Sequence, residues 1–172
     1  TAMAVAGGIE KTTGLECKIK WPNDIVIHGK KVCGILTEMS TQMDYINYIV
    51  IGIGINVQNE AFPEEIGEVA TSLRIESGKK QNRAAIIEAV WEEFETYYDI
   101  YLKTEDMQGL VGEYNRKLAN MNQQVRVLDP KDPYEGTARG ITSKGELIVD
   151  TWEARKLVSS GEVSVRGLYG YV

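Results

Sequence analysis

The stretch that decides the fold is Lys18-Ile19-Lys20-Trp21-Pro22-Asn23-Asp24-Ile25-Val26-Ile27. We interpret it as a strand that runs into a Pro-Asn-Asp corner and then continues extended. Pro22 fixes its own φ and disfavours the helical region for Trp21, while the Asn23 and Asp24 side chains can bond to nearby backbone and hold a bend. The corner would hold a lysine, an indole and a carboxylate rigidly. Rigid placement of a cation suits recognition of an anionic reacting group.

The composition is that of a globular protein with one or two domains. The chain has 172 residues, of which 43% are hydrophobic and 26% are charged. Its net charge of −6 argues against a broad nucleic-acid-binding surface. No apolar run approaches the length of a membrane span, and no signal-peptide pattern precedes the first strand. We therefore expect a cytoplasmic protein with no membrane partner.

The two cysteines, Cys17 and Cys33, both lie in apolar, strand-like surroundings. We expect them to be buried free thiols of a reducing cytosol rather than a disulfide or a metal pair. His28 is the sole histidine of the sequence, so a His/Cys zinc site is not expected, and no metal ligands are predicted.

The first half of the chain alternates between helix and strand patterns. Residues 1–13 predict a helix of small residues that ends near Gly14, and residues 31–39 predict the returning strand of a hairpin. Residues 45–57 form a β-branched, apolar run that favours a central strand covered on both faces. A buried helix remains an alternative for such a run.

Two glycines interrupt this run, in Gly52-Ile53-Gly54-Ile55-Asn56. Glycine inside a strand often marks the close approach of a ligand or of another backbone. The dinucleotide-binding fingerprint does not fit well, because its third glycine and its following helix are missing. A packing role for the glycine pair beneath a helix also remains open.

The second half changes in character. Residues 58–82 predict a long polar connection, and residues 82–102 predict a helix whose aromatic stripe is interpreted as core packing. A second helix is predicted over about 106–121. From residue 123 onward, five short strands separated by turns predict a small antiparallel barrel. These strands are 124–128, 136–141, 146–150, 154–158 and 162–165. The predicted domains are 1–122 and 123–172, and the predicted class is α+β with a mixed or antiparallel sheet and packed helices.

Taken together, these segments resemble the biotin–protein ligases. The resemblance rests on three motifs in order: Lys20-Trp21-Pro22-Asn23-Asp24, Gly34-Ile35-Leu36-Thr37-Glu38 and Gly52-Ile53-Gly54-Ile55-Asn56-Val57. It continues through Ala70-Thr71-Ser72-Leu73 to a terminal Gly161-Glu162-Val163-Ser164-Val165-Arg166. The family implies the later part of a class II synthetase-like catalytic domain, followed by a Src-homology-3-like barrel.

The resemblance implies a two-step reaction that uses biotin, ATP and Mg²⁺. The carboxylate of biotin would attack the α-phosphate of ATP to give biotinyl-5′-adenylate. A lysine of a biotin carboxyl carrier protein of acetyl-CoA carboxylase would then take up the biotin. A homodimer is a possible assembly, and DNA is a partner only if a helix-turn-helix precedes this stretch.

The same resemblance assigns roles to particular residues. Lys20 would be the catalytic cation at the biotin carboxyl and the adenylate phosphate, whereas an exposed structural lysine is the alternative. Asp24 would orient Lys20, help to hold magnesium or cap the turn. The remaining candidates would contact the ligands: Gly34, Ile35 and Leu36 the biotin rings, and Gly54, Ile55 and Asn56 the nucleotide.

One family motif is missing from these 172 residues. The arginine- and glycine-rich phosphate loop, Gly-Arg-Gly-Arg-x-Gly-Arg, does not occur. We therefore expect a ligase fragment that forms no biotinyl-adenylate alone. Lipoate ligase, a biotin-responsive repressor and a protein-interaction module with an exposed sheet edge are the competing interpretations.

Overall fold

A computed structural model describes residues 1–43, 45–130, 132–160, 164–168 and 171–172. The helices are α1 (Ala2–Thr13), α2 (Glu64–Gly67), α3 (Leu73–Ser77), α4 (Arg83–Thr104) and α5 (Val111–Lys117). The strands are β1 (Lys18–Lys20), β2 (Asp24–Ile27), β3 (Lys30–Gln42), β4 (Tyr45–Ile55), β5 (Gln124–Leu128), β6 (Tyr134–Ile141), β7 (Leu147–Asp150), β8 (Arg155–Val158) and β9 (Ser164–Gly167). Helices beside antiparallel sheets make this an α+β fold, as predicted.

The first sheet has the antiparallel order β1-β2-β3-β4. The predicted corner is a hairpin turn: the chain reverses there and continues extended as β2, which pairs back onto β1. The reversal is held by bonds to distant parts of the chain. The Trp21 N–H donates to Asn120 Oδ1 and its indole N–H donates to the Gly145 carbonyl at 3.0 Å. Such long-range partners cannot be read from the local sequence.

Helix α1 ends as predicted and packs closely on α4. Gly14 caps it in the left-handed region, at φ 75°, with its N–H bonded to the Glu10 carbonyl. Gly8 lies against the α4 backbone, where an added Cβ would stand 2.7 Å from the Val90 nitrogen. Small residues therefore bring the two helices together over the sheet.

The position of strand β4 differs from the prediction of a central strand covered on both faces. This strand is an edge strand rather than a central one, and its side chains are exposed over almost its whole length. Among the described residues only β3 pairs with it, and an apolar cavity lies between one of its faces and α4. An apolar run of this kind shows strand formation but not which neighbours cover it.

The helical region also differs in detail from the prediction. The segment 58–82 contains two short helices, and α4 begins after Asn82, whose side chain caps it. The aromatic stripe is not all core, because Trp91 remains 62% exposed and Tyr98 49% exposed. Helix α5 is shorter than predicted. The two cysteines are free and buried, as predicted.

The second sheet has the antiparallel order β8-β7-β6-β5-β9. Alternating residues bury one side of it, including Val125, Val127, Leu147 and Val149. This is the pattern of a small β-barrel domain. The start of the last predicted strand, Glu162, and the motif residues Gly161 and Val163 lie outside the described residues. The boundary between 1–122 and 123–172 stays a prediction.

The two sheets contact each other through the hairpin that opens the fold. The Trp21 indole N–H donates to the Gly145 carbonyl in the turn between β6 and β7, and the Ala119 N–H, shortly before β5, donates to the Ile19 carbonyl at 2.8 Å. These bonds place the second sheet beside the Lys20 to Asp24 turn. Within the described ranges, none of the helices is long and apolar enough for a membrane span.

Candidate functional site

The β1–β2 hairpin brings two predicted residues face to face. Lys20 and Asp24 are direct partners across the antiparallel pair, with Trp21-Pro22-Asn23 as the turn between them. The Trp21–Pro22 peptide bond is cis. Asn23 anchors the turn to β3, since its Nδ2 donates to the Ile35 carbonyl at 2.6 Å and its own carbonyl accepts from the Ile35 N–H. The turn is therefore fixed on both sides.

An open groove of about 500 Å³ runs beside this hairpin. It is lined by Asn23, Asp24, Lys31, Gly34, Ile35, Leu36, Gly52, Ile53 and Gly54. The register of β3 and β4 pairs Gly34 with Gly54 and Leu36 with Gly52. Three glycines thus lie together on one face of the sheet, where they leave bare backbone beside a charged edge.

The glycines differ in what they leave room for. A Cβ on Gly34 would stand 3.0 Å from the Lys31 Nζ, so this glycine makes space for that side chain. A Cβ on Gly52 or Gly54 would meet only a carbonyl oxygen, at 3.7 or 3.8 Å. Packing within the protein does not require glycine at those two positions. A flat surface for a ligand explains them better.

Asp24 lies at the centre of a charged cluster. The residue is 8% exposed; its Oδ1 pairs with the Lys31 Nζ at 2.6 Å, and its Oδ2 accepts a hydrogen bond from the Tyr171 hydroxyl. The predicted turn cap is therefore not what this carboxylate does here. Tyr171 belongs to the last residues of the chain, so the far end of the sequence reaches the opening hairpin.

Lys20 is buried, with 7% of its surface exposed. Its Nζ lies over the Tyr171 ring, 4.6 Å from the centroid, and makes no hydrogen bond or ion pair to any residue that the structure describes. Burial lowers the pKa of Lys20; Asp24 partly offsets this, and the positive charges of Lys31 and Arg166 add to the lowering. A buried ammonium without an anionic partner is suited to receive an anion. The alternative of an exposed structural lysine is excluded.

The structure brings some predicted residues together and separates others. Asp24, Gly34, Ile35, Leu36 and Gly54 line the groove, and Lys20 lies directly across from Asp24. The other two predicted contacts lie elsewhere.

Ile55 lines an apolar cavity of about 340 Å³ between β4 and α4, and the Asn56 Nδ2 donates to the Thr71 carbonyl at 3.1 Å. The connection 58–78, which by the resemblance to biotin–protein ligases would close over the adenylate, is tied to the start of β3. The Lys31 N–H donates to the Val69 carbonyl and the Thr71 N–H donates to the Lys31 carbonyl. Closure over the groove remains a prediction.

Sequence reasoning missed Lys31 and Tyr171. The position of Lys31 near Asp24 could have been inferred from the sequence, because a hairpin turn at Gly29-Lys30 sends the next strand back past Asp24. The position of Tyr171 could not, because its contact with Asp24 spans 147 positions of sequence. The cluster around Asp24 is assembled by tertiary contacts.

Two family models match this chain. Residues 1–56 match the Biotin/lipoate A/B protein ligase family, and residues 121–166 match the Biotin protein ligase C terminal domain. The first match includes β1, β2 and the groove, and the second includes most of the second sheet.

Individual proteins agree with these models. The bifunctional ligase/repressor BirA of Bacillus spizizenii is 37% identical over 166 residues, covering 95% of this chain and 51% of that protein. The biotin–[acetyl-CoA-carboxylase] ligase of Mycobacterium tuberculosis is 32% identical over 149 residues, covering 86% of this chain and 53% of that protein. The chain thus spans about half the length of these curated relatives.

Solved structures extend the similarity to the whole fold. The biotin protein ligase of Aquifex aeolicus without ligand superposes with a TM-score of 0.86 at 30% identity, covering 96% of this chain and 72% of that one. The same enzyme in complex with biotin and ATP superposes with a TM-score of 0.83 at 30% identity, covering 96% and 68%. With both family models matched and this fold shared, the chain belongs to the biotin protein ligase family.

Proposed function

We propose that this chain supplies the Lys20 side of a biotin–protein ligase active site. The observation that carries the proposal is a buried ammonium that forms no ion pair with any described residue, directly across the hairpin from Asp24, which lines a glycine-floored groove. A relative that shares the fold has been solved with biotin and ATP, which supports both molecules as substrates.

The proposed first step joins two anions. An oxygen of the biotin carboxylate attacks the α-phosphate of ATP, the bond to the β-phosphate breaks, and pyrophosphate leaves. A fixed cation lowers the barrier because it offsets the charge that builds up where the two groups meet, and burial strengthens the effect. Lys20 is proposed for this role. In the second step the carrier lysine attacks the acyl carbon, and AMP leaves with the bonding electrons.

The groove suits the uncharged parts of the ligands. Gly34, Ile35 and Leu36 are proposed to contact the biotin rings, with the bare backbone of Gly54 nearby. Asn56 is proposed for the adenine edge. Because its Nδ2 already donates to Thr71, its Oδ1 is the atom left to accept from an adenine amino group. Ile55 lies on the opposite face of β4 and would support the nucleotide site only indirectly, through packing.

Magnesium is proposed to arrive with ATP. No cluster of three or more metal-ligating side chains occurs among the described residues. Mg²⁺ commonly binds through substrate phosphates and only one or two carboxylates. Asp24 would have to give up Lys31 or Tyr171 before it could serve as one of them.

The proposal is tested with a chimaera. In the Bacillus spizizenii relative, the matching stretch is replaced by residues 1–172 of this chain, and biotinyl-5′-adenylate is measured from biotin and MgATP. We expect the chimaera to form adenylate and to biotinylate a carrier protein, and we expect Lys20→Ala to reduce adenylate formation at least about 100-fold. An inactive but folded chimaera, or an unaffected Lys20→Ala variant, would contradict the proposal. We expect the isolated chain to form no adenylate, because it lacks the arginine- and glycine-rich loop.

Two competing functions, lipoate ligase and repressor, would give different results in tests of this kind. If the chimaera activated lipoate rather than biotin, this would indicate a lipoate ligase. The match of residues 121–166 to a biotin ligase domain favours biotin. The repressor role is named for the BirA relatives, and on this chain it would require a DNA-reading segment outside residues 1–172.

We also propose a homodimer through the exposed β4 edge and a place in the cytoplasm, where buried free thiols persist. Light scattering that shows a clean monomer at high concentration would argue against the dimer. Detection of the native protein outside the cell would argue against the cytoplasmic location.

A further inference from the structure

Tyr171 occupies a position that the proposed chemistry does not explain. Its hydroxyl donates to Asp24 Oδ2, and its ring lies under the Lys20 Nζ at 4.6 Å from the centroid. One side chain thus contacts both members of the cross-strand pair Lys20–Asp24.

The arrangement avoids an ion pair that the hairpin would otherwise favour. Directly opposite residues of an antiparallel pair have Cβ atoms about 5 Å apart, which lets a lysine and an aspartate pair. Here Asp24 instead pairs with Lys31 at 2.6 Å and accepts from Tyr171, so both of its oxygens are engaged. The Lys20 ammonium is left beside the aromatic ring.

We propose that Tyr171 is a positioning residue: its hydroxyl holds the Asp24 carboxylate away from Lys20, and its ring seats the Lys20 ammonium where a substrate anion can reach it. That Lys20 contacts a substrate anion rests on the proposed function. The arrangement of charges around Lys20 is observed independently of that function.

The charges around Lys20 are consistent with this role. Within the part of the chain that the structure describes, the groups that face it are Asp24, Lys31, Arg166 and the Tyr171 ring. Burial, and then the hydrogen bond to Asp24, raise the pKa of Tyr171. The hydroxyl therefore stays protonated, and stays a donor, throughout the neutral range.

The test follows the titration of Lys20 in the full 172-residue chain. Lysines labelled with ¹³C at Cε are titrated by NMR, and Lys20 is assigned as the resonance missing from Lys20→Arg. In Tyr171→Phe the ring stays but the donor to Asp24 is lost, so Asp24 turns to Lys20. We expect the pKa of Lys20 to rise by about one unit, as a new carboxylate partner does. An unchanged pKa would overturn the proposal.

A double-mutant cycle separates this effect from loss of packing. If Tyr171 acts through Asp24, Tyr171→Phe has no effect on Lys20 in an Asp24→Asn background. An equal shift in both backgrounds would contradict the mechanism. Tyr134→Phe is the matched control, because the Tyr134 ring also lies under a lysine, with Lys156 Nζ 4.0 Å from its centroid. We expect it to leave Lys20 unchanged.

Ligand binding gives the second measurement. Calorimetry compares biotin with biotinamide, which lacks the negative charge. We expect Tyr171→Phe to weaken biotin about tenfold and to leave biotinamide unaffected. Equal loss for both ligands would show a structural role only and count against the proposal. If the wild-type chain binds neither ligand, this counts against substrate binding by the chain alone, and the Lys20 titration still decides the role of Tyr171.

Discussion

At the scale of the residue, the main finding is a lysine that is costly to the fold. Lys20 is buried without an ion pair among the described residues, and its pKa is lowered chiefly by burial. A protein gains nothing in stability from a desolvated charge of this kind. Retention of the charge therefore points to a use in binding.

This cost predicts that Lys20→Met stabilises the protein at pH 7. The apolar side chain fits a buried site, and we expect the free energy of unfolding to rise by about 1–2 kcal/mol while anion binding is lost. Urea unfolding measures the first effect. Lys18→Met is the control on the same strand, because Lys18 pairs with Glu16 at the surface and its loss should change little.

The same change has a defined pH dependence. The folded pKa of Lys20 lies below its ordinary value of 10.5, so between these two values the unfolded state binds more protons. The stability contribution of Lys20 therefore improves as pH rises through this window. The advantage of Lys20→Met should be largest near pH 7 and shrink towards pH 10.5. A constant advantage would argue that packing alone explains it.

Individual residues also show where sequence reasoning reached its limit. The motifs identified Lys20, Asp24 and the glycines, because short spacings along a hairpin keep them together. The partners of Asp24 could not be predicted, since Tyr171 arrives from the other end of the chain. The covering of β4 could not be predicted either, because an apolar run does not specify what packs on it.

At the scale of the element, the contact between α1 and α4 decides how the helices lie over the sheet. Gly7 and Gly8 are neighbours in sequence but face different surroundings. A Cβ on Gly8 would stand 2.7 Å from the backbone nitrogen of Val90, whereas one on Gly7 would stand 3.1 Å from the movable end of Glu93. The helix can therefore accept a side chain at one position and not at the other.

This difference predicts opposite effects of the same substitution. Gly8→Ala should destabilise the protein by about 2–3 kcal/mol, because the backbone of α4 must move away. Gly7→Ala should be neutral or stabilise by up to about 1 kcal/mol, because alanine favours helix and the Glu93 carboxylate can shift. Thermal unfolding of the two variants, read by circular dichroism, gives the comparison. Equal effects would show that the close approach of the helices is not rigid.

At the scale of the whole molecule, one indole bridges the two sheets. Trp21 is 1% exposed, and its N–H donates to the Gly145 carbonyl in the turn before β7. The backbone bond from the Ala119 N–H to the Ile19 carbonyl lies at the same junction. The hydrogen bond from the Tyr171 hydroxyl to Asp24 also brings the last residues of the chain to this junction. We therefore expect the sheets to unfold together.

Trp21→Phe tests this coupling. It removes the indole donor and leaves the Gly145 carbonyl unpaired beside a small cavity, so we expect a loss of about 2–4 kcal/mol. Trp91→Phe is the control, because Trp91 is 62% exposed and its replacement should cost about 0.5 kcal/mol or less. Native-state hydrogen exchange then compares Val32 in the first sheet with Val149 in the second. Parallel loss of protection at both residues supports one cooperative unit, whereas loss confined to Val32 would show that the sheets are stable independently.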